Sequence, residues 1–364
     1  VKFRCERDVL SEALATAGRA VSNRGGSLPV LAGLRLELQG DALSITGSDL
    51  DLTINVQLEV AGADDGVIVI PSKLVSDVVR SLSSGAVELE VKDSDAHISG
   101  GRSDFTLRTI SAEEFPKVTP VDGDGVTLEV GEFALALKQV VSAASTDDSR
   151  PILTGVLMTT EGAGLRLVAT DSYRLSVRDL PGTSILDDDQ EVLVPSRALG
   201  ELSRVLGDKE TVTITLGERE ASFSSGNVTL TTRLIEGVFP NYRGLIPSDH
   251  PNNLIVNRSE LLDAVRRVRL LAQESTPLRL AMSADGVELI AVTQDVGEAH
   301  ESIEANYEGE DLTVAFNPEY LLNGVDVAPG EEIRLETVDA LKPAVLRVVG
   351  DEDFLYLLMP VRVS

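Results

Sequence analysis

The chain has 364 residues, 43% of them apolar, a formal charge of −27 and one cysteine. That length and apolar share suit two or three domains with cores of their own and exclude a disordered chain, and the single Cys5 excludes an internal disulfide. Phosphate binding is carried by clustered Lys and Arg, so the acidic balance argues against a nucleic-acid partner unless positive charge is concentrated somewhere.

A strand holding Cys5 opens the chain, and a helix is expected over residues 6–21. After LPVLAGL (28–34), Leu34 to Leu38 alternates with period two, and Gly40-Asp41 reads as a turn. Ser48-Asp49 opens SDLDLTI, and VIPSKLVSDVVRSL (69–82) begins a second helix, 71–83, with proline in its first turn. Phe115-Pro116 comes next, and then Lys117 to Gly125, a junction rich in Pro, Gly and Asp.

The same order then recurs: a helix over 131–144, RPILTGV (150–156), TDSYRLSV from Thr170-Asp171, VLVPSRALGELSRVL (192–206) with a helix over 195–206, alternation from Thr211 to Thr215, and Phe239-Pro240. Pro71 to Pro195 and Phe115 to Phe239 share an offset of 124, and the two earlier landmarks lie near 122. A third, more diverged copy comes after the junction at Ile246 to Asn253. Asn257 is a plausible N-cap for a helix over 257–272, whose Leu261, Leu262, Val265 and Val268 keep helical spacing. Thr276-Pro277, Asp285-Gly286, Gln294-Asp295, a helix over 317–328 opened by Asn317-Pro318, and alternation from Ile333 to Leu335 complete it. A period this long exceeds solenoid units, which run about 20–50 residues, so each copy is expected to be a domain: 1–117, 126–245 and 254–364. Alternating strands with two helices per copy predict an α+β fold on antiparallel sheets.

The six expected helices hold 11 of the 32 Lys and Arg but only 10 of the 59 acidic residues, a sum of +1 against −28 for the rest. Lys73 and Arg80 are seven residues, two helical turns, apart and share a face, and the offset of 124 carries them onto Arg197 and Arg204. Arg266, Arg267 and Arg269 bring positive charge to the third copy. A repeated basic face of this kind suits weak, sequence-independent phosphate contact. Solvated helix faces are the ordinary alternative.

On LPVLAGL (28–34), TDSYRL (170–175), EGVFPNYRGLIP (236–247), AFNPEYL (315–321) and YLLMPVRV (356–363), together with the threefold repeat, the chain resembles the beta subunit of bacterial DNA polymerase III over its whole length. The resemblance implies a replication sliding clamp: a head-to-tail homodimer closing a six-domain ring around double-stranded DNA, helices lining the hole and sheets outside. It implies a dimer seam of Phe105 and Leu107 against Leu270 and Leu271, for which core packing is the competing reading. It implies a groove where the replicative polymerase, clamp loader and repair polymerases insert a short apolar peptide, built from Leu153, Thr170, Tyr173, Arg174, Leu175, Pro240, Leu245, Tyr320, Pro343, Met359 and Pro360. Ser172 stands where such proteins often have glycine, and Gly244 where a basic residue is common. Candidate DNA contacts are Arg24, Lys73, Arg80, Arg150, Arg197, Arg204, Arg266 and Arg269.

No catalytic constellation is legible. His97, His250 and His300 lack metal-site spacing, no phosphate-cradling glycine loop or nucleophile elbow occurs, and no cofactor or metal is expected. The aspartates at 64–65, 147–148 and 187–189 read as solvated turns. Two alternatives stay open: an acidic three-domain scaffold binding basic proteins without encircling DNA, and a hydrolase using loop aspartates with a divalent ion. A charged N-terminus and the lack of an eighteen-residue apolar run predict a cytoplasmic protein with no membrane partner.

Overall fold

The computed structural model describes residues 1–21, 28–187, 190–272 and 276–362. Helices form where apolar residues recur at three-and-four spacing: α1 (Arg7–Gly18), α2 (Ser72–Ser81), α3 (Val130–Val141), α4 (Ser196–Leu206), α5 (Arg258–Val268) and α6 (Pro318–Val327). Helix α1 buries Leu10, Ala13, Leu14 and Ala17 and packs against α2, which turns Val75 and Val79 inward. Each leucine buried in this way stabilises by about 1.5–3 kcal/mol. Asn257 caps α5 by accepting from the Glu260 amide at 3.1 Å, and Asn317 caps α6 from Glu319 and Tyr320 at 2.9 and 3.2 Å. Such a cap is worth about 1 kcal/mol. Proline enters the first turn only in α6. Pro71 and Pro195 instead finish the strands before α2 and α4, held extended by register pairing with Gly33 and Gly155, so each helix starts one residue later. Helix α5 also stops earlier than its periodicity suggests, and Arg269–Leu271 continue as a tighter 3-10 turn.

The chain forms two compact units, residues 1–131 with 201–234 and residues 132–200 with 235–364. The first holds a five-stranded sheet, ordered Ala61–Asp64, Lys2–Glu6, Ala86–Lys92, Asp95–Gly100 and Ser103–Arg108. It also holds an eight-stranded sheet in which Val228–Arg233 of the second repeat pairs antiparallel with Leu52–Glu59 of the first. The second unit repeats the scheme. Its nine-stranded sheet joins Arg174–Leu180 of the second repeat antiparallel to Asp351–Leu358 of the third, and a four-stranded sheet runs Gly297–Ile303, Gly286–Thr293, Leu278–Ser283 and Leu312–Phe316. Neighbouring repeats therefore share sheets, and the compact units follow those shared sheets.

Close packing on both sides of the strand Asp351–Leu358 fixes the second unit. Helix α6 lies on the buried ring of Tyr356 through Gly324, where an added Cβ would fall 2.5 Å from Cδ1 of that ring. A cluster of Leu157, Val168, Leu175, Val177, Leu193, Phe239, Tyr242, Val345, Leu355 and Leu357 fills one face of the nine-stranded sheet, with Ile152, Ile235 and Ile246 packed against it. No described helix is long and apolar enough to cross a membrane.

Candidate functional site

The residues singled out from the sequence fall into three groups. The first is the basic helix faces. Lys73 and Arg80 on α2 are both exposed, opposite the buried Val75 and Val79, and Arg197 and Arg204 are exposed on α4. Arg80 faces Asp77 at 3.8 Å, Arg204 faces Glu201 at 2.7 Å, and Arg266 on α5 faces Asp263 at 3.6 Å and Asp326 at 3.0 Å. Arg267 pairs with Glu301 and Arg269 with Glu319. Arg24 lies outside the described residues. Arg150 belongs elsewhere: it pairs with Asp147 at 3.0 Å, and its Nη1 donates toward the Ser172 hydroxyl at 3.4 Å, beside the turn Thr170–Arg174.

The second group is apolar and lies on two sheet edges, one in each compact unit. Phe105 and Leu107 share one face of Ser103–Arg108, which ends its sheet with no partner on its outer side among the described residues. Phe105 is exposed and Leu107 half-buried. Leu270, on the 3-10 turn after α5, is 80% exposed, which removes the core-packing reading for it, and Leu271 is half-buried. Val292 and Val296, each about half exposed, flank the start of Gly297–Ile303, which is likewise an outer strand, and Gly297 lies close to Leu271. The sequence reading missed both valines. An apolar residue at a strand end gives no signal of its own, because edge and centre strands share the same alternation.

The third group is built around the turn Thr170–Arg174, where two strands of the nine-stranded sheet meet. Asp171 is buried, and its Oδ1 accepts from the Tyr173 and Arg174 amides at 2.9 and 3.0 Å while Oδ2 accepts from the Arg174 Nε at 3.0 Å. Ser172 adopts φ +80°, a left-handed conformation costly for a residue with a Cβ, and its amide donates to the Thr170 hydroxyl at 3.2 Å. The turn thereby lifts Tyr173 to 59% exposure. The Arg174 guanidinium lies 4.3 Å from the centroid of the Tyr320 ring, stacked as a cation over an aromatic face, and donates to the Tyr356 hydroxyl at 3.4 Å. Burial opposes the charge of Arg174, but Tyr356 and Asp171 more than offset it and its pKa is raised. Burial also pushes the Tyr356 hydroxyl up to about 12, so it stays protonated and donates to the Tyr320 carbonyl at 3.1 Å. Tyr356 is a residue the sequence reading missed, being buried among apolar neighbours on its strand.

The remaining groove candidates gather by chain connection to this turn. The Met359 amide donates to the Tyr173 carbonyl at 2.9 Å and the Val361 amide to the Ala315 carbonyl at 2.7 Å, so the segment after Leu358 is tied down on both sides, with Pro360 between the two links. Leu153 lies after Arg150 in the 3-10 turn Pro151–Thr154 and is half-buried. Pro240 and Leu245 are exposed on a segment whose Phe239, Tyr242 and Ile246 pack on the same cluster as Leu175 and Leu357. Half-buried Pro343 precedes Ala344, the register partner of Leu358. Leu175 itself is 1% exposed, a core residue beneath the surface. What the arrangement offers is an exposed aromatic, a thioether and aliphatic side chains around a rigid, charged turn, the composition of a site for a short apolar segment.

Residues 1–119, 127–241 and 243–362 match, in that order, the family models of the N-terminal, central and C-terminal domains of the DNA polymerase III beta subunit. The chain is 34% identical to the beta sliding clamp of Streptomyces coelicolor and 33% identical to that of Bacillus subtilis, covering all of both proteins. Among solved structures it resembles the DNA polymerase sliding clamp of Bacillus subtilis, with a TM-score of 0.90 at 32% identity over 100% of this chain and 99% of that one. It also resembles a sliding clamp from Bartonella birtlesii bound to griselimycin, with a TM-score of 0.93 at 30% identity and the same coverage.

Proposed function

The chain belongs to the DNA polymerase III beta subunit family, the beta sliding clamps, and from that membership we propose that two copies close head to tail into a ring around duplex DNA and tether a replicative polymerase to it. The role is mechanical, with no reaction catalysed, and belongs in the cytoplasm where the chromosome is copied. The observation that carries this reading is the repeat: Lys73 and Arg80 recur as Arg197 and Arg204, exposed on equivalent helices of an otherwise acidic chain. Contacts of that kind hold phosphates without reading bases, and closure of the ring supplies retention that weak contacts do not. Two outer strands with exposed apolar side chains on or next to them, Phe105 on Ser103–Arg108, and Val296 and Leu270 near Gly297–Ile303, support the seam, since an exposed strand edge is a template for pairing with another chain. The turn at Thr170–Arg174 with Tyr320, Leu245 and Met359 supports the docking groove, whose occupants are short apolar peptides of the polymerase, the clamp loader and repair polymerases. An acidic scaffold has no use for the repeated basic faces.

Leu270→Asp with Leu271→Asp places unpartnered charge in the seam and yields monomers. Light scattering after size exclusion checks this. A wild type that runs as a monomer at micromolar concentration, or a double variant that remains a dimer, contradicts the ring.

A further inference from the structure

The basic faces carry a second repeated feature. On α2 the order is Lys73, Asp77, Arg80 and on α4 it is Arg197, Glu201, Arg204, so at the offset of 124 an acid is set between two bases in both copies. The spacing of four and then three residues puts all three side chains of each set on one helical face. The acid engages its base in both cases, Asp77 with Arg80 at 3.8 Å and Glu201 with Arg204 at 2.7 Å, and Glu201 also lies 3.8 Å from Arg19. In the third copy, which moves its positive charge to α5, Asp263 stands three residues before Arg266 at 3.6 Å, and Asp326 of α6 lies closer to the same guanidinium at 3.0 Å. The guanidiniums of Arg80, Arg204 and Arg266 are half or more exposed and open to a phosphate, yet each faces a carboxylate first.

We propose that Asp77, Glu201 and Asp263 are affinity-tempering residues, intramolecular competitors that a DNA phosphate must displace at each arginine and that keep the basic faces from gripping the duplex. The proposal rests on the sliding-clamp reading and adds a regulation of its DNA surface. An ion pair whose guanidinium is open to solvent is weakened by water and salt, so each carboxylate lowers the gain of a phosphate contact without blocking it. A ring that retains DNA by closure has no need of tight contacts, and tight contacts would impede its movement. A phosphate passing such a pair exchanges one weak partner for another.

The test is binding of a fluorescent linear duplex by the intact assembled protein across a series of salt concentrations. Three variants are compared with wild type. The first is Asp77→Asn/Glu201→Gln/Asp263→Asn. The second, Glu113→Gln/Asp122→Asn/Glu218→Gln, removes the same charge from exposed positions outside the helices. The third is Arg80→Ala/Arg204→Ala/Arg266→Ala. The helix triple is expected to bind several-fold more tightly at low salt, with the slope of log affinity against log salt steeper by up to about one for each of Arg80 and Arg204 and by less at Arg266, which keeps Asp326 at 3.0 Å, and the control triple to change little. Equal shifts in the two acidic triples, or none in the helix triple, overturn the proposal. The arginine triple separates the two claims: if it leaves duplex binding unchanged, the basic faces are not the DNA surface and the underlying reading fails too, whereas weakened binding beside an inert helix triple removes the tempering alone. Size exclusion and thermal melting confirm that each variant is assembled and folded.

Discussion

The turns Ser48–Leu52 and Thr170–Arg174 occupy equivalent places in two repeats and share a backbone while differing in everything a ligand would meet. Leu50 has φ +81° and Ser172 φ +80°. Asp49 Oδ1 accepts from the Asp51 and Leu52 amides at 3.1 and 2.8 Å, as Asp171 Oδ1 does from Tyr173 and Arg174, and the Ser48 hydroxyl accepts from the Leu50 amide as Thr170 does from Ser172. Each turn leads into a strand that joins a sheet shared with another repeat. In the first turn Asp51 is exposed and Leu52 is 2% exposed, folded into the core. In the second the corresponding residues are Tyr173, held out in solvent, and Arg174, stacked on Tyr320. The two repeats share one strained turn, and side-chain replacement gives the second copy the surface proposed to receive a peptide.

That contrast breaks most readily at Arg174. Arg174→Ala removes the stacking on Tyr320 and the pair with Asp171 and is expected to cost roughly 2 kcal/mol of peptide affinity, about thirtyfold, whereas Asp51→Ala in the first turn leaves it unchanged. Fluorescence anisotropy with a labelled apolar peptide from a polymerase subunit measures both, and equal effects at the two turns would erase the distinction. An effect of similar size falls on stability. Asp171→Ala strands two backbone amides and a half-buried guanidinium and is expected to destabilise by about 1–3 kcal/mol, against about 1 kcal/mol for Asp49→Ala, read from urea midpoints. Smallest is relief of the shared strain: Ser172→Gly and Leu50→Gly each raise stability by roughly 0.5 kcal/mol, the cost of a left-handed Cβ less the added freedom of glycine in the unfolded chain. A loss of stability at either position would mean the side chain supports the turn.

Which parts were legible in the sequence depends on the range of the forces involved. Asn257 and Asn317 as helix starts, the hairpin at Gly40-Asp41 and the exposed faces of α2 and α4 depend on neighbours within a few residues, and local pattern reveals those. Sheet sharing between repeats depends on partners such as Leu230 and Ile54, far apart in the chain, and alternation gives no hint of which strand lies alongside. For the same reason Arg150 read as one more basic residue, although its partners Asp147 and Ser172 hold it beside the turn Thr170–Arg174, and Tyr356 drew no reading of its own, although its hydroxyl accepts from Arg174. Leu175 was legible as part of the motif but not as core, since its burial is set by packing across the nine-stranded sheet.

Retention on DNA of different topology tests the central claim most directly. Protein loaded onto nicked circular duplex and passed over a sizing column is expected to stay with the circle and to be lost once a single cut linearises it, because a closed ring slides off a free end. Equal retention on both forms, or none on the circle, would show that attachment does not depend on encirclement and would contradict the account.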